Sequence, residues 1–275
     1  MYLNKRVNSH MKVNCHMKTR AKFFSGVTIA VVLCIAQLSP AQVDPRWKMN
    51  DRSRPLPPVI TPGTASTEEA AGRPPSDAIV LFDGKDLSQW VGTDGQPSKW
   101  KVENGYVQCV PHTGFLISRQ PFGAMQLHVE FWEPVPAVGK DQDRGNSGVI
   151  IMGQYEIQVL DSYNNITYAD GQAGAVYGQY PPQVNVSRPP GQWQTYDIIF
   201  HGPRFDQSGA LLRKARVSVL QNGVLVQDNV EIEGVTGYEP LKYAVIPEKL
   251  PLRLQDHGHP VRYRNIWVRE LAEGQ

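Results

Sequence analysis

Short apolar runs separated by polar turn residues fill the chain from residue 77 onward. The runs are rich in Val, Ile, Tyr, Phe and Trp, and no long amphipathic helix pattern interrupts them. They predict strands over residues 78–82, 100–103, 106–110, 125–133, 147–152, 155–160, 193–201, 216–220, 224–230 and 261–271. Asn104-Gly105 and Asn222-Gly223 predict tight hairpin turns, because Asn-Gly readily adopts positive φ angles. Together these features indicate an antiparallel β-sandwich or barrel.

The first 76 residues differ in texture and predict an export signal followed by a linker. Basic residues precede an apolar run over residues 23–38, and small residues follow up to Ala41. This order predicts a signal peptide over residues 1–41, with Met17 as an alternative start and an uncleaved membrane anchor as the competing interpretation. Residues 42–76 are polar and proline-rich, which predicts an extended, largely disordered linker. The folded domain is therefore expected over residues 77–272, in an exported protein that is periplasmic or secreted.

The charge of the chain is nearly balanced, at +2 over 275 residues. A nucleic-acid partner is not expected, because such proteins carry a basic surface that displaces counterions. Cleavage of the signal would leave a protein without stable membrane insertion. Cys109 would then be the one remaining cysteine, which excludes an internal disulfide and favours a small buried side chain in a strand. The oligomeric state is left open.

Two predicted strands carry polar residues on one face and apolar residues on the other. Glu156 and Gln158 share a face and lie about 6.6 Å apart along their strand. His128, Glu130 and Trp132 share the polar face of another strand. Carboxylates, amides and an indole suit a sugar, which offers hydroxyl groups and a C–H face for stacking. An ordinary solvated sheet face would show the same alternation.

A second polar cluster follows at the end of the chain. His257 and His259 lie two residues apart beside Asp256, a set that can bind a metal ion or serve as acid and base. The alternative is a turn into the last strand, with Asp256 capping the loop. Arg144 and Asn146 likewise belong either to a plain turn or to a cluster of hydrogen-bond donors. The sequence has no glycine-rich phosphate loop, metalloprotease helix or serine elbow.

Several longer motifs resemble the bacterial 3-keto-disaccharide hydrolase family. They lie at residues 81–90, 146–149, 155–162, 193–198, 254–258 and 264–268. The resemblance runs in order over most of residues 77–271 and implies a concanavalin-A-like jelly roll of two antiparallel sheets. It also implies a sugar substrate oxidised at C3, in which a base removes the C2 proton while the C1 oxygen departs.

The resemblance assigns roles to particular residues. Glu156 is expected to be the base and His257 the acid or enolate stabiliser, with Asp161 as a third catalytic group. Laminarinase-type glucanases of this fold carry three acids at the spacing of Glu156, Gln158 and Asp161. The amide at Gln158 argues against their two-carboxylate mechanism, and a β-bulge before Asp161 would be needed to align all three side chains. Substrate contacts are expected from the following residues: Gln158, Trp132, Glu130, His128, Arg144, Asn146, Asp256 and Tyr163.

No cofactor is required by these motifs, although a divalent metal ion at His257, His259 and Asp256 remains an option. Three other functions stay open. A non-catalytic carbohydrate-binding module would use the same jelly roll. An ordinary glycosidase would act on unoxidised glycans, and a scaffold domain would bind protein partners.

Overall fold

Antiparallel β-strands make up nearly all the regular structure of the computed structural model, which describes residues 46–237 and 241–272. The predicted signal segment, residues 1–41, lies outside the described residues. The strands are β1 Ile79–Phe82, β2 Trp90–Val91, β3 Lys101–Glu103, β4 Tyr106–Gln108, β5 Leu116–Phe122, β6 Met125–Trp132, β7 Ser147–Ile151, β8 Tyr155–Val159, β9 Trp193–His201, β10 Arg204–Phe205, β11 Leu211–Arg213, β12 Arg216–Gln221, β13 Val224–Glu231, β14 Leu250–Leu254 and β15 Arg262–Glu270. A single 3-10 turn, Ala169–Gly171, is the helical element of these residues.

Two sheets form the sandwich. The large sheet has eight strands in the order β13-β12-β9-β6-β15-β4-β3, with β1 also pairing with β15. The small sheet has five strands in the order β2-β5-β14-β7-β8. Strands β10 and β11 form a separate hairpin. All of these pairs are antiparallel, and the predicted all-β antiparallel sandwich of jelly-roll type is confirmed.

Side-chain alternation builds the core between the two sheets. In β9, Tyr196, Ile198 and Phe200 are fully buried, whereas the intervening residues face outward. The inner faces meet directly: the rings of Tyr155 and Phe200 lie 5.7 Å apart. Across the same space, the Tyr263 hydroxyl donates to Ser147 Oγ at 2.7 Å. The outer faces of the large and small sheets therefore point in opposite directions.

The hairpin turns form where the Asn-Gly pairs predict them. Asn104 and Gly105 have φ angles of 48° and 80°, and Asn222 and Gly223 have φ angles of 52° and 79°. The first pair joins β3 to β4 and the second joins β12 to β13. Cys109 is free and fully buried, as its sequence context predicts.

Residues 61–76, which we call the strap, lie across the outer face of the large sheet. Thr61 and Ser76 bond to each other through the backbone and Ser76 Oγ, which closes the strap at its base. The guanidinium of Arg264 donates to the carbonyl oxygens of Thr67 and Glu68. The expectation of a disordered linker therefore does not describe these residues, because the polar face of the sheet supplies partners for their backbone.

Among the residues that the structure describes, no helix has the length and apolar character that a membrane crossing requires.

Candidate functional site

The outer face of the small sheet holds a cavity of about 330 Å³, which we call the Glu156 cavity. Its floor follows one row of cross-strand neighbours: Arg253 of β14 lies beside Ile150 of β7, which lies beside Glu156 of β8. Other walls come from Asn146, Gln158 and the segment that follows β14. Additional lining residues are Phe115, Gly153, Gln154, Tyr177, Val235, Thr236, Gly237, Gln255 and His257.

Among the described residues, Glu156 is the one carboxylate that lines this cavity. Its residue surface is 8% exposed, and burial raises the pKa of its carboxyl to about 7. Gly148 lies diagonally across from it on β7, and a Cβ atom at residue 148 would lie 2.3 Å from Glu156 Oε1. The backbone N–H of Glu156 donates to Thr236 Oγ1 at 3.0 Å, which fixes the strand beneath the carboxylate. The site thus holds a carboxyl group that can accept a proton near neutral pH.

Gln158 lies beside the carboxylate on the same face of β8. With its amide nitrogen turned toward the cavity, it donates to Glu156 Oε1 at 3.2 Å and to the Ser147 carbonyl at 3.0 Å. An amide in this position can orient the carboxylate but cannot exchange a proton with it. The position beside Glu156 on this face therefore holds an amide donor and not a second acid.

His257 lines the same cavity and is exposed to solvent. Its ring stacks against that of His259, with centroids 6.3 Å apart and planes 9° apart. The Asp256 carboxylate is occupied by loop backbone. Its Oδ2 accepts hydrogen bonds from the N–H groups of Thr113 at 2.7 Å and Gly114 at 2.9 Å. Its other oxygen accepts Gly258 N–H at 3.0 Å. Of the two interpretations, the structure favours loop capping for Asp256.

Asp161 belongs to a neighbouring cavity of about 250 Å³, which Arg144 and His259 also line. Arg144 Nε donates to Asp161 Oδ2 at 2.7 Å, and Tyr163 N–H donates to Asp161 Oδ1 at 3.2 Å. Burial raises the pKa of Asp161, although Arg144 opposes the shift. Strand β8 pairs with β7 in regular register and ends at Val159, so Asp161 lies beyond the paired part of the strand. The two carboxylates occupy separate cavities.

A comparison of the sequence with family models identifies the family. Residues 77–269 match the family model of the 3-keto-alpha-glucoside-1,2-lyase-like domain. The chain belongs to this family. Its motifs at residues 155–162 and 254–258 bring Glu156 and His257 to the same cavity. The family consists of carbohydrate-acting, glycosidase-like proteins, and a carbohydrate is the expected class of ligand.

Solved structures agree with this assignment. The chain is 42% identical to a candidate glycosyl hydrolase from Parabacteroides distasonis ATCC 8503, with a TM-score of 0.77, covering 81% of this chain and 95% of that one. A second candidate glycosyl hydrolase from the same organism shares the fold at 19% identity, with a TM-score of 0.52, covering 71% of this chain and 94% of that one. No curated protein matches the chain.

His128, Glu130 and Trp132 lie far from the Glu156 cavity in this lyase-like domain. They belong to β6 of the large sheet, whose outer face points away from the small sheet. The expectation that these three residues contact the same sugar as Glu156 is therefore wrong. Alternation identifies the outward-facing residues of a strand but not the sheet to which the strand belongs. Trp132 is covered by the Arg262 guanidinium, whose carbon lies 4.1 Å from the ring centroid.

The polar residues of that other face form a closed network under the strap, beside a cavity of about 570 Å³. Glu130 accepts hydrogen bonds from Arg264 Nε at 2.6 Å and Asn265 Nδ2 at 2.7 Å, and the Ser66 hydroxyl also donates to it. Burial alone would raise the pKa of Glu130, but its hydrogen bonds, from His128 first, lower it to about 2. The network holds the strap in place.

Sequence reasoning assigned no role to two further residues that line the Glu156 cavity, Arg253 and Gln255. Arg253 projects outward from β14 between the buried residues Leu252 and Leu254, and Gln255 directly follows the strand. The alternation of leucine with polar residues was a usable signal, but Pro251 hid the strand. Among residues 46–237 and 241–272, no group of three or more His, Cys, Asp and Glu side chains is arranged to hold a metal ion.

Proposed function

We propose that this domain cleaves the glycosidic bond of 3-keto-glycosides, including 3-keto-disaccharides, by removing the C2 proton and eliminating the C1 oxygen. The observation that supports it is a single buried carboxyl with a pKa of about 7, Glu156, in a sugar-sized cavity that His257 also lines. Addition of water to the product completes a net hydrolysis.

The steps follow from the chemistry of a ketone at C3. The ketone acidifies the C2 proton, which Glu156 accepts, and the electron pair of the C2–H bond moves onto the C3 oxygen as an enolate. The enolate collapses to a C1–C2 double bond as the C1–O bond breaks, and His257 gives a proton to the departing alcohol. Water then adds a hydroxyl to C1 and a proton to C2.

A two-carboxylate glycosidase mechanism has less support at this site. Retaining enzymes place their carboxyl groups about 5–5.5 Å apart and inverting enzymes about 6.5–9.5 Å apart, on either side of one sugar. Here the partner positions hold the amide of Gln158 and the carboxylate of Asp161, which is bonded to Arg144 in the next cavity. A reaction that needs one base and one acid fits these residues better.

Turnover of defined sugars tests the proposal. The full chain is incubated with 3-keto-trehalose, 3-keto-cellobiose and their unoxidised parents, with and without a chelator. We expect cleavage of the oxidised sugars alone, and a loss of about 10²–10⁴-fold in kcat for Glu156→Gln. Glu231→Gln, on the exposed β13 of the large sheet, is the matched control and should keep the parental rate.

Three outcomes contradict the proposal. Parental activity in Glu156→Gln would show that Glu156 is not the base. Cleavage of unoxidised glucans as fast as the oxidised sugars would favour an ordinary glycosidase. Sugar binding without turnover of any substrate, unchanged in a Glu156→Gln/His257→Ala double variant, favours a carbohydrate-binding module.

A further inference from the structure

Arg253 is a cation in the Glu156 cavity that neither the family comparison nor the proposed mechanism uses. It lies in the central part of the small sheet, with Ile117 on one side and Ile150 on the other. Ile150 in turn pairs with Glu156, so Arg253 and Glu156 lie on the same outer face two strands apart. Strand spacing places their Cα atoms about 10 Å from each other. The two opposite charges thus flank an apolar floor made by Ile150.

The guanidinium of Arg253 has no partner in the part of the chain that the structure describes. Its Nε is buried and donates to no hydrogen-bond acceptor in residues 46–237 or 241–272. The side chain is held against Gly153, where a Cβ atom would lie 2.8 Å from Arg253 Nε. Other arginines near the two sheets are paired, Arg144 with Asp161 and Arg264 with Glu130. A partly buried, constrained arginine without an acceptor is a group prepared to bind an anion.

Two groups near Arg253 in the same cavity also have hydrogen-bonding atoms available to a ligand. Gln255, the next outward residue of this segment, has a buried Oε1 without a hydrogen-bond donor among the described residues. Glu156 forms no ion pair with any described residue, and burial raises the pKa of its carboxyl. A donor fork, an amide oxygen and a carboxylate therefore line one cavity; the first two have unused hydrogen-bonding atoms among the described residues, and the third is bonded to the neutral Gln158 amide. A ligand that offers both an oxyanion and hydroxyl groups would satisfy all three.

We propose that Arg253 binds the oxyanion that forms on the C3 oxygen of the sugar when Glu156 removes the C2 proton. The inference rests on the proposed function. The C3 oxygen is attached to the carbon next to C2, so the group that stabilises it must lie near the base but too far from it for an ion pair. The row Arg253–Ile150–Glu156 provides this separation, with Ile150 beneath the ring.

A carboxylate carried by the substrate is the other source of an oxyanion. A uronic acid would meet Arg253 in the ground state, whereas the enolate meets it only in the transition state. The first interaction lowers KM for acidic sugars, and the second raises kcat for all 3-keto sugars. The enolate is favoured because Arg253 shares a row with the base.

The experiment compares Arg253→Met and Arg253→Lys with the parental chain on a neutral 3-keto-glucoside and on its C6-carboxylate analogue. Removal of one oxyanion donor lowers kcat by about 10²–10³-fold, so we expect this loss in Arg253→Met on both sugars, with little change in KM. Arg253→Lys should recover part of the rate, and added guanidinium ions should rescue Arg253→Met. Arg119→Met, which removes an exposed arginine of β5 in the same sheet, is the matched control.

Each result has a separate meaning. Parental kcat in Arg253→Met, together with an inactive Glu156→Gln, overturns the role of Arg253 and leaves the proposed function standing. A rise in KM confined to the acidic sugar assigns Arg253 to a substrate carboxylate and overturns the enolate role. If the parental chain turns over neither sugar, the proposed function and this inference both fail. Thermal unfolding of the variants, with the Lys variant as a second test, separates loss of rate from loss of fold.

Discussion

Gly148 determines where the Glu156 carboxylate can lie. The glycine leaves space that the carboxylate fills, since a Cβ atom there would lie 2.3 Å from Oε1 and 2.9 Å from Cδ. The amide of Gln158, the cross-strand partner of Gly148, donates to the same carboxylate with its nitrogen turned toward Oε1. In the proposed mechanism this carboxylate must reach the C2 proton, so a displacement of about 1 Å should lower the rate.

We expect Gly148→Ala to lower kcat by at least about tenfold, because the methyl group displaces the carboxylate. The overpacking should cost about 1–3 kcal/mol of unfolding free energy. Gly202→Ala is the control, because its Cβ would make an ordinary contact at 3.6 Å with Met152 Sδ. Steady-state kinetics and urea unfolding measure both effects, and an unchanged kcat in Gly148→Ala would contradict the close packing.

The pH profile should report the pKa of Glu156. Only the ionised carboxylate accepts a proton, and burial raises the pKa of Glu156 to about 7. We therefore expect kcat/KM to rise about tenfold per pH unit below pH 7 as the carboxyl ionises, and to fall again at alkaline pH because the proposed acid must carry a proton. The measurement is kcat/KM between pH 5 and 9, with unfolding curves at each pH to verify the fold. An acid limb near pH 4.5 would exclude the raised pKa.

At the scale of elements, the strap is held by charged groups rather than by a hydrophobic stripe. Arg264 joins it to the large sheet, since the guanidinium bonds to Glu130 through Nε and to the strap carbonyls through its other nitrogens. Glu68 of the strap also accepts the backbone N–H of Trp193 at 3.0 Å. The strap thus lies over the polar face of the large sheet and lines a cavity there, while the Glu156 cavity lies on the small sheet.

Arg264→Met should destabilise the domain by up to about 3–5 kcal/mol, because it removes the cation at Glu130 Oε2 and leaves His128, 3.3 Å from Oε1, as the remaining cationic partner of this buried carboxylate. Amide exchange in residues 61–76 should accelerate in the same variant. The control is Arg269→Met on the same strand, whose pair with Asp77 is partly exposed at 2.8 Å. Loss of an exposed pair costs about 1 kcal/mol or less. Equal unfolding free energies for the two variants would show that the strap is not fixed by Arg264.

At the scale of the whole molecule, the outer faces of the two sheets carry different structures. The large sheet carries the strap, and the small sheet carries the Glu156 cavity, so changes on one face should leave the other intact. Residues 1–41 precede this arrangement in the chain, and we propose that they direct export.

Expression in a bacterial host tests the export proposal. We expect the mature protein in the periplasm or the medium to begin at Gln42, because small residues precede the expected cleavage site. Mass spectrometry of the purified protein identifies its first residue. Ala41→Tyr should block cleavage at that site, whereas Val43→Tyr, just beyond it, should not. A protein that keeps residues 1–41 and stays with the membrane would favour the uncleaved anchor.

The sequence by itself determined the class of fold and suggested the pair of residues on which the proposed mechanism depends. Alternation in the segments that became β9 and β8 is local, so inner and outer residues could be assigned, and the Asn-Gly turns needed only their own backbone preferences. Glu156 and His257 were paired through family motifs, and the structure places both at one cavity.

Only the tertiary structure decided which faces belong together. Strands β5 and β14 were missed because Pro121 and Pro251 weaken their patterns, and in the structure these two prolines lie opposite each other. Without β14, Arg253 had no assigned face. Trp132 and Glu156 both alternate correctly, yet they lie on opposite sides of the sandwich. Alternation is set within one strand, whereas sheet membership depends on pairing between distant segments, which no local pattern encodes.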